Sequence, residues 1–200
     1  NNTNPLAGHF RTPKLYTALP SGGKFYDQDV IEMPSSGEVP VFPMTAKDEI
    51  MMKNPDALLN GEAVANVLMS CIPAIKKPRN LVSNDIDALL VAVQAATYGD
   101  ELDVGAACPQ CGENASAVLS AEVVLASMDT LDKNYEFTTD TGLLIAMKPF
   151  SYETSVKAGV ANFRSTRSLQ SIEAIEDEMD KIKAFNKNFI ELASLNFDIL

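Results

Sequence analysis

The segment from Asn84 to Gly99 is the part of this sequence that most limits the possible folds. It predicts a helix with Asn84 as N-cap and Asp87 at the third helical position, apolar on nearly every side up to Tyr98. Gly99 follows where a left-handed C-cap residue belongs. Such a helix is stable only inside a core, so the rest of the chain has to cover it. With 200 residues, 46% of them hydrophobic and 22% charged, the chain can bury a core of that kind.

Shorter helices are predicted between this helix and the first 45 residues. Thr45 and Asp48 have the spacing of a capping box, with Asp in place of the usual Glu. The sequence Asn54–Asp56 (NPD) ends one short helix and begins another, because proline is favoured at the first helical position. Gly61 then precedes a helix over Glu62–Cys71, whose apolar residues share one face. These segments predict a helical core.

The first 45 residues are divided by prolines and by two turn sequences, Ser21–Gly23 and Ser35–Gly37. Three short extended runs lie between them, at 24–26, 30–33 and 39–42. We interpret these runs as two or three short strands in a small meander. A coil that lies over the core is the alternative.

Residues 100–150 change to a two-residue period, which predicts two β-hairpins. In the first hairpin, alternating apolar residues lead into and out of a turn at Cys108–Gly112 (CPQCG). In the second, Tyr135–Phe137 and Leu143–Met147 are joined through Asp140–Gly142. The predicted fold class is therefore α+β: a helical core, short N-terminal strands, these hairpins and a long C-terminal amphipathic helix.

That C-terminal helix is predicted from about Ser168 to the end of the sequence, after a short helix at 151–163. Its apolar stripe is a candidate partner-binding surface, formed by Ile172, Ile175, Met179, Ile182, Phe185, Phe189 and Leu192. Packing on its own domain and packing against a neighbouring subunit both fit the stripe. We expect a compact domain over 1–150 and a helical arm over 151–200. Because the last residues carry no stop signal for the helix, we also expect the natural chain to continue.

The charge balance limits the possible partners. Lys and Arg number 16 while Asp and Glu number 27, so the net charge is −11. Duplex nucleic acid and anionic membrane surfaces would repel such a chain, so we expect neither as a partner. The longest apolar stretch, Ala88–Tyr98, is also too short to span a bilayer. Between Asn84 and Asp140 there are eleven acidic residues and a single lysine, which suits side-by-side packing of subunits and equally a solvated surface.

Residues suited to catalysis are few. The sequence contains one histidine, His9, which excludes most catalytic machinery based on that residue. Two pairs of neighbouring carboxylates, Asp48 with Glu49 and Asp85 with Asp87, stand at predicted helix starts. Capping and the helix dipole explain acidic residues at such positions. We therefore expect no enzymatic activity.

The Cys108–Gly112 turn is the sharpest local signal for a site. Two thiolates three residues apart on a tight turn, here Cys108 and Cys111, hold one side of a tetrahedral Zn²⁺ ion in zinc knuckles. Cys71, His9 or another subunit are the candidates for the missing ligands, although Cys71 lies on an apolar helix face and suits burial. A purely structural turn is the alternative. A redox dithiol is disfavoured, because the residues that follow predict a strand and not a helix.

Seven motifs in order carry a resemblance to a known family. They are Leu19–Tyr26 (LPSGGKFY), Val39–Glu49 (VPVFPMTAKDE), Pro55–Gly61 (PDALLNG), Ser70–Pro73 (SCIP), Asp85–Leu90 (DIDALL), Ala96–Gly99 (ATYG) and Cys108–Gly112 (CPQCG). Over about residues 5–125 the chain resembles the T-even-type bacteriophage baseplate hub and hub-assembly proteins. The resemblance implies a contractile-tailed phage, a location in the tail baseplate of the virion after assembly in the host cytoplasm, and other baseplate and tail proteins as partners. It implies no catalysis.

Two roles fit this resemblance. A permanent structural subunit near the hub would bury large surfaces, including the helix from Ser168 onward. An assembly chaperone would hold hub or tape-measure proteins and leave before the particle matures, for which an adaptable methionine surface is suited. The methionines that would supply such a surface, or fill the core instead, are Met44, Met51, Met52, Met69 and Met179. We predict the permanent subunit, because the chain has the features of fixed packing; self-association is compatible with either role.

Overall fold

The computed structural model describes residues 11–131 and 135–199 of the protein. Within these residues the chain forms seven α-helices, one short 3₁₀ helix and three antiparallel strand pairs. The predicted α+β class is therefore confirmed. The N-terminal half forms the core, and the later elements are added to it.

The first strand pair joins β1 (Leu15–Ala18) to β2 (Glu38–Val41). The two strands are antiparallel, with Leu15 opposite Val41 and Ala18 opposite Glu38. The strand expected at 39–42 is thus present, shifted by one residue, and its partner β1 was not predicted. Strand β1 has only four residues, and Leu19 and Pro20 follow it directly, so the sequence gave no clear strand signal there.

The other two expected strands are wrong. Residues 24–26 lie in a turn, because Gly22 and Gly23 take positive φ angles of 58° and 74° and coil the chain. Within 30–33 only Ile31 pairs, in an isolated bridge to Ile75. This segment packs on the core as irregular chain, so the structure lies between the predicted meander and the alternative of a coil.

Helices α1 (Ala46–Met52), α2 (Pro55–Leu59) and α3 (Glu62–Cys71) have the bounds that their caps predict. Thr45 and Asp48 form the capping box, in which Asp48 accepts from the Thr45 N–H at 2.8 Å. The Asn54 side chain caps α2 by accepting from two backbone N–H groups. These caps satisfy donors that would otherwise lack a helical partner.

The central helix α4 (Ser83–Tyr98) begins two residues earlier than predicted. Its N-cap is Val82, so the expectation that Asn84 is the N-cap is wrong. Residue Gly99 ends the helix with φ 103° and ψ −179°, a positive φ that favours glycine but not the left-handed helical conformation that we expected. The expected central position of α4 is confirmed, since it packs against β1, β2, α3, β3, α5 and α6.

The core lies between Leu19 and Ala96 in the sequence. Its largest fully buried apolar side chains come from β2, α3, α4 and the segments between them: Val39, Val41, Val67, Leu68, Ile72, Leu81 and Leu89. Burial of each contributes about 1.5–3 kcal/mol. The N-terminal half thus holds the main source of hydrophobic stability.

Two hairpins follow α4, as predicted. The first pairs β3 (Glu101–Ala107) with β4 (Asn114–Ser120), and the second pairs β5 (Tyr135–Thr138) with β6 (Leu144–Met147). Between them lies α5 (Ala121–Ala126), which was not predicted; the Ser120 hydroxyl caps it by accepting from the Val123 N–H at 3.2 Å. Nearly all strand residues of both hairpins are exposed or half-buried.

The C-terminal region is a pair of helices, α6 (Tyr152–Glu173) and α7 (Glu178–Ile199). The expected C-terminal helix is therefore present, but it begins at Glu178 and not at Ser168, and the preceding helix continues past 163 to Glu173. The two helices are separated at Ala174–Asp177, and Asp177 caps the second one. Its Oδ1 accepts from the Asp180 N–H at 2.9 Å at the start of α7. A short connection of this kind joins antiparallel neighbours. We call α6 and α7 together the helical hairpin; the proposed domain division at residue 150 stays a prediction.

Candidate interaction site

A buried carboxylate fixes the N-terminal loop to the helical core. Asp85, fully buried in the first turn of α4, accepts from the Ser21 N–H at 2.8 Å, from the Ser21 hydroxyl at 2.5 Å and from the Tyr26 hydroxyl at 2.5 Å. The Tyr26 oxygen in turn accepts from the Val82 N–H at 2.7 Å. These bonds give a structural role to two of the seven motifs. One is Leu19–Tyr26, which contains Ser21 and Tyr26, and the other is Asp85–Leu90, which begins with Asp85.

The sequence assigned Asp85 to capping, and that assignment is wrong. Its side chain points into the core because the Ser21–Gly23 turn presents donors there. Burial, with the neighbouring Asp85 as a further cause, raises the pKa of the Tyr26 hydroxyl far above its ordinary value. Tyr26 therefore acts as a neutral hydrogen-bonding group, and the cluster holds the N-terminal loop on the core. Tyr26 and Val82 also line a neighbouring cavity of about 490 Å³.

The neighbouring carboxylate Asp48 also has a structural role. Besides the capping box it accepts from the Ser70 hydroxyl at 2.9 Å, which ties α1 to α3. Burial acts to raise its pKa, but the hydrogen bonds from Thr45 and Ser70 outweigh burial and lower the pKa overall. Capping, which the sequence predicted, thus accounts for Asp48.

The cysteine turn joins β3 to β4 as predicted. The Gly112 N–H donates to the Cys108 carbonyl at 2.8 Å, and the Cys108 N–H donates to the Glu113 carbonyl at 2.8 Å. Gly112 has a φ of 72°, which a side chain would strain. The backbone N–H groups of Cys111 and Gln110 donate to the Cys108 sulfur and lower the pKa of its thiol. The turn therefore favours a thiolate at its entrance.

Cys71, one of the other proposed ligands, does not join this turn. Cys71 is fully buried in the core, as its helix position predicted, whereas Cys111 at the hairpin tip is exposed. His9 lies outside the described residues. Among the residues that the structure describes, no group of three or more His, Cys, Asp or Glu side chains is arranged to hold a metal ion.

The predicted partner-binding stripe has a mixed environment. Ile172 is buried between the two helices of the helical hairpin, and Ile175 and Leu192 are half-buried. The other four residues are exposed on α7: Met179, Ile182, Phe185 and Phe189. On α7 the face against α6 is instead the one that carries Ala184, Asn188 and Leu192. Most of the predicted stripe therefore remains available to a partner.

The structure adds apolar residues that the sequence analysis missed. Phe163 and Leu169 on α6 and Ile190 on α7 are exposed, Ile190 by 67%. In the second hairpin Leu143, Leu144, Met147 and Phe137 are exposed as well. The sequence did contain a signal for this exposure in the second hairpin. Residues 144–147 are apolar at every position, and a lone hairpin cannot cover both of its faces.

A groove with a volume of about 590 Å³ lies beside β1. It is bounded by β1, α4 and α5, with Tyr16, Ala88, Ala95, Leu125 and Met128 among its lining residues. Acidic residues stand at its edge, Asp100 and Glu122. Its lining is mainly apolar and contains no cysteine or histidine.

The first turns of α6 are anchored to the core. Arg79 pairs with Glu153 at 2.7 Å and donates to the Asn60 carbonyl at 2.9 Å. The Tyr152 N–H donates to the Leu81 carbonyl at 2.7 Å. The helical hairpin is thus fixed at its base. No helix in the described part of the chain has the length and hydrophobicity that crossing a membrane requires.

Comparison with known proteins identifies the family. The family model described as T4 bacteriophage base plate protein matches residues 14–199, so the match includes both β-hairpins and the helical hairpin. The family predicted from the seven motifs is confirmed, and the match extends well past residue 125. No curated protein matches the chain, and no solved structure matches it. Baseplates belong to the tail of the virion, and their subunits act next to other baseplate proteins. This chain belongs to the T4 bacteriophage base plate protein family.

Proposed function

We propose that the protein is a permanent structural subunit of the baseplate of a contractile-tailed phage, in the hub region, and that it acts through protein–protein contacts. The observation that carries this proposal is the set of large apolar side chains exposed on the helical hairpin and the second β-hairpin. Scattered exposed apolar residues are normal on a protein surface, but a continuous apolar helix face suggests an interface.

On α7 the exposed residues form such a face. Met179, Ile182, Phe185, Phe189 and Ile190 follow each other at intervals of one, three and four residues, so they lie on one side of the helix. Each is about half to two-thirds exposed. Completing their burial would supply roughly 1 kcal/mol per side chain, or about 5 kcal/mol in all. That sum offsets only part of the cost of association, so further surfaces have to contribute.

Charge supports a protein partner over other kinds. The net charge of −11 disfavours nucleic acid and anionic membranes. Within the first 26 residues the charged side chains are all basic: Arg11, Lys14 and Lys24. The acidic residues between Asn84 and Asp140 and the basic residues near the N-terminus have opposite charges, which suits contacts between neighbouring subunits in a ring or stack. Location in the hub is supported by the motif resemblance.

The absence of an enzymatic role is part of this proposal. The carboxylates of Asp48 and Asp85 are engaged in capping and in fastening the N-terminal loop. The hydroxyls that donate to these carboxylates, those of Ser21, Thr45 and Ser70, belong to the same structural contacts. Substrate chemistry therefore has no support from the arrangement of side chains.

An assembly chaperone is the second candidate. Met69, Met147 and Met179 are exposed, and flexible methionine surfaces adapt to several partners. Met44 and Met52 instead pack against the core, which leaves fewer methionines for such a surface. The anchored base of α6 also favours a fixed interface over an adaptable one.

Quantitative mass spectrometry of purified mature particles separates the two candidates. A fixed number of copies per virion is expected for a structural subunit. Its absence from mature particles, together with its presence in assembly intermediates, would establish the chaperone instead.

A double substitution on α7 tests the surface. Phe185→Ser with Phe189→Ser should prevent incorporation into particles while the melting temperature of the isolated protein stays close to that of the wild type. Lys187→Ser, on the polar side of the same helix, is the matched control and should be incorporated normally. Normal incorporation of the double variant would exclude this face as the interface.

A further inference from the structure

We propose that the Cys108–Gly112 turns of two copies of this chain meet tip to tip and bind one Zn²⁺ ion through four cysteine thiolates. Each copy supplies Cys108 and Cys111. The site is incomplete in one chain and complete in two, so the metal would join the copies.

The turn has the local geometry that two cysteine ligands of one metal ion require. The chain reverses between Cys108 and Gly112, where the Gly112 N–H closes on the Cys108 carbonyl at 2.8 Å. The N–H groups of Gln110 and Cys111 point at the Cys108 sulfur. Backbone N–H groups aimed at a ligating sulfur hold it in place, as partners of metal ligands do in other sites. Both sulfurs therefore lie on the same turn at the end of the hairpin.

The residues that the structure describes place no second pair of ligands beside Cys108 and Cys111. Structural zinc sites are almost always four-coordinate, with cysteine and histidine as ligands. In a single-chain zinc ribbon the second pair would come from another hairpin, yet the β5–β6 turn at Thr139–Gly142 contains neither residue type. Cys71 is enclosed in the core, and the structure groups no third ligand with the pair anywhere among the described residues. A second copy supplies what is missing.

The hairpin can reach a second copy. Seven-residue strands extend about 24 Å, and this hairpin is joined to the core only at its base, where β3 follows α4 and β4 leads into α5. At that base Asp100 accepts from the Glu122 N–H at 2.9 Å and fixes the direction of the hairpin. Residues 109–119 are all exposed. Among the residues that the structure describes, none covers the tip of the hairpin at 109–112.

Charge makes the contact depend on the metal. Glu101, Asp103 and Glu113 lie on the hairpin or at its tip, and none forms an ion pair among the described residues. Glu113 lies at the tip and repels its counterpart in a second copy, more strongly at low ionic strength, whereas Glu101 and Asp103 lie near the base of the hairpin. Bonds from four thiolates to one Zn²⁺ ion hold the two tips together against this repulsion. The dimer is therefore expected with zinc and not without it.

The test is native mass spectrometry of the full chain, purified under reducing conditions and loaded with Zn²⁺. A dimer that carries one zinc per two chains is expected, and a strong chelator should return it to a metal-free monomer. Replacement of Zn²⁺ by Co²⁺ should give the visible absorption of a tetrahedral thiolate site. Cys108→Ser with Cys111→Ser should abolish both the bound metal and the dimer, whereas Gln110→Ala, which changes the same turn but no ligand, should keep both.

Three outcomes would overturn the proposal. One zinc per single chain would mean that ligands within the chain complete the site. A metal-free protein in the presence of zinc, with the cysteines reduced, would make the turn purely structural. A dimer that survives the double cysteine substitution would place the contact elsewhere.

Discussion

Removal of the Tyr26 hydroxyl tests whether the contact between the N-terminal loop and α4 holds the fold together. In Tyr26→Phe the ring keeps its apolar contacts with the core. The hydroxyl is lost, and with it the bond to Asp85 Oδ2 at 2.5 Å and the bond from the Val82 N–H at 2.7 Å. The substitution thus isolates two hydrogen bonds in a part-buried site.

The size of the effect follows from these two bonds. A hydrogen bond to a charged acceptor contributes about 1.5–3 kcal/mol, and a buried N–H left without a partner costs about 1–3 kcal/mol. Because the Asp85 carboxylate keeps two bonds from Ser21, we expect a loss of about 3 kcal/mol in the free energy of unfolding. For a chain of this length that corresponds to a melting temperature lower by roughly 6–12 °C.

Urea unfolding followed by circular dichroism measures this loss. Tyr16→Phe is the matched control, because the Tyr16 side chain is 60% exposed and its change should stay within about 0.5 kcal/mol. Ser21→Ala and the double variant complete a mutant cycle, and the two losses should not be additive since both residues bind Asp85. Equal stabilities of Tyr26→Phe and Tyr16→Phe would refute the reasoning.

A pH series gives a second measurement on the same residue. Burial and Asp85 raise the pKa of Tyr26 in the folded protein, while the unfolded value is about 10. Its contribution to stability is therefore complete below about pH 10 and is lost as the pH rises further. The difference in the free energy of unfolding between wild type and Tyr26→Phe should shrink above that pH. A difference that stays constant as the pH rises above about 10 would contradict this expectation.

Three further predictions concern the attachment of the helices. A Cβ on Gly61 would lie 2.5 Å from Val156 Cγ2 at a φ of 75°, so Gly61→Ala should cost about 2–4 kcal/mol, and an unchanged melting temperature would show that α6 moves aside freely. Asp48→Asn should cost about 1–3 kcal/mol near neutral pH. Since hydrogen bonds from Thr45 lower the pKa of Asp48 despite burial, this loss should fade as the pH drops below about 4, and a loss that persists in acid would contradict the assignment. Asp177→Ala should cost about 1 kcal/mol of local stability in α7, measured by hydrogen exchange, with no change in α3 as the control.

The sequence was most informative where a local interaction decides the structure. The bounds of α1, α2 and α3 follow from Thr45, Asn54 and Gly61, which act within four residues of their own positions. Both hairpins were predicted because a turn that contains glycine separates two short extended runs in each. The cysteine turn was located for the same reason.

Errors occurred where distant residues decide the structure. Strand β1 exists because β2 lies beside it, and the inward direction of Asp85 depends on Ser21, sixty-four positions away. The break before α7 is different, since the Asp177 cap is local and was hidden by an apolar spacing that continues across it. The apolar residues of the predicted stripe do recur at helical intervals, but they lie on two helices and the loop between them.

The distribution of stability along the chain favours a fixed interface. The core is built from residues 19–96, while the hairpins and the helical hairpin depend on their own caps and turns. The base of α6 is fixed by the Arg79–Glu153 ion pair and by the hydrogen bond from the Tyr152 N–H to the Leu81 carbonyl, so a partner that binds the helical hairpin does not have to fix that base first. Preorganised elements lose less conformational entropy on binding than flexible ones. A protein that exposes apolar faces on such elements is suited to occupying one place in an assembly, which is the reason for preferring a permanent baseplate subunit over a chaperone that adapts and leaves.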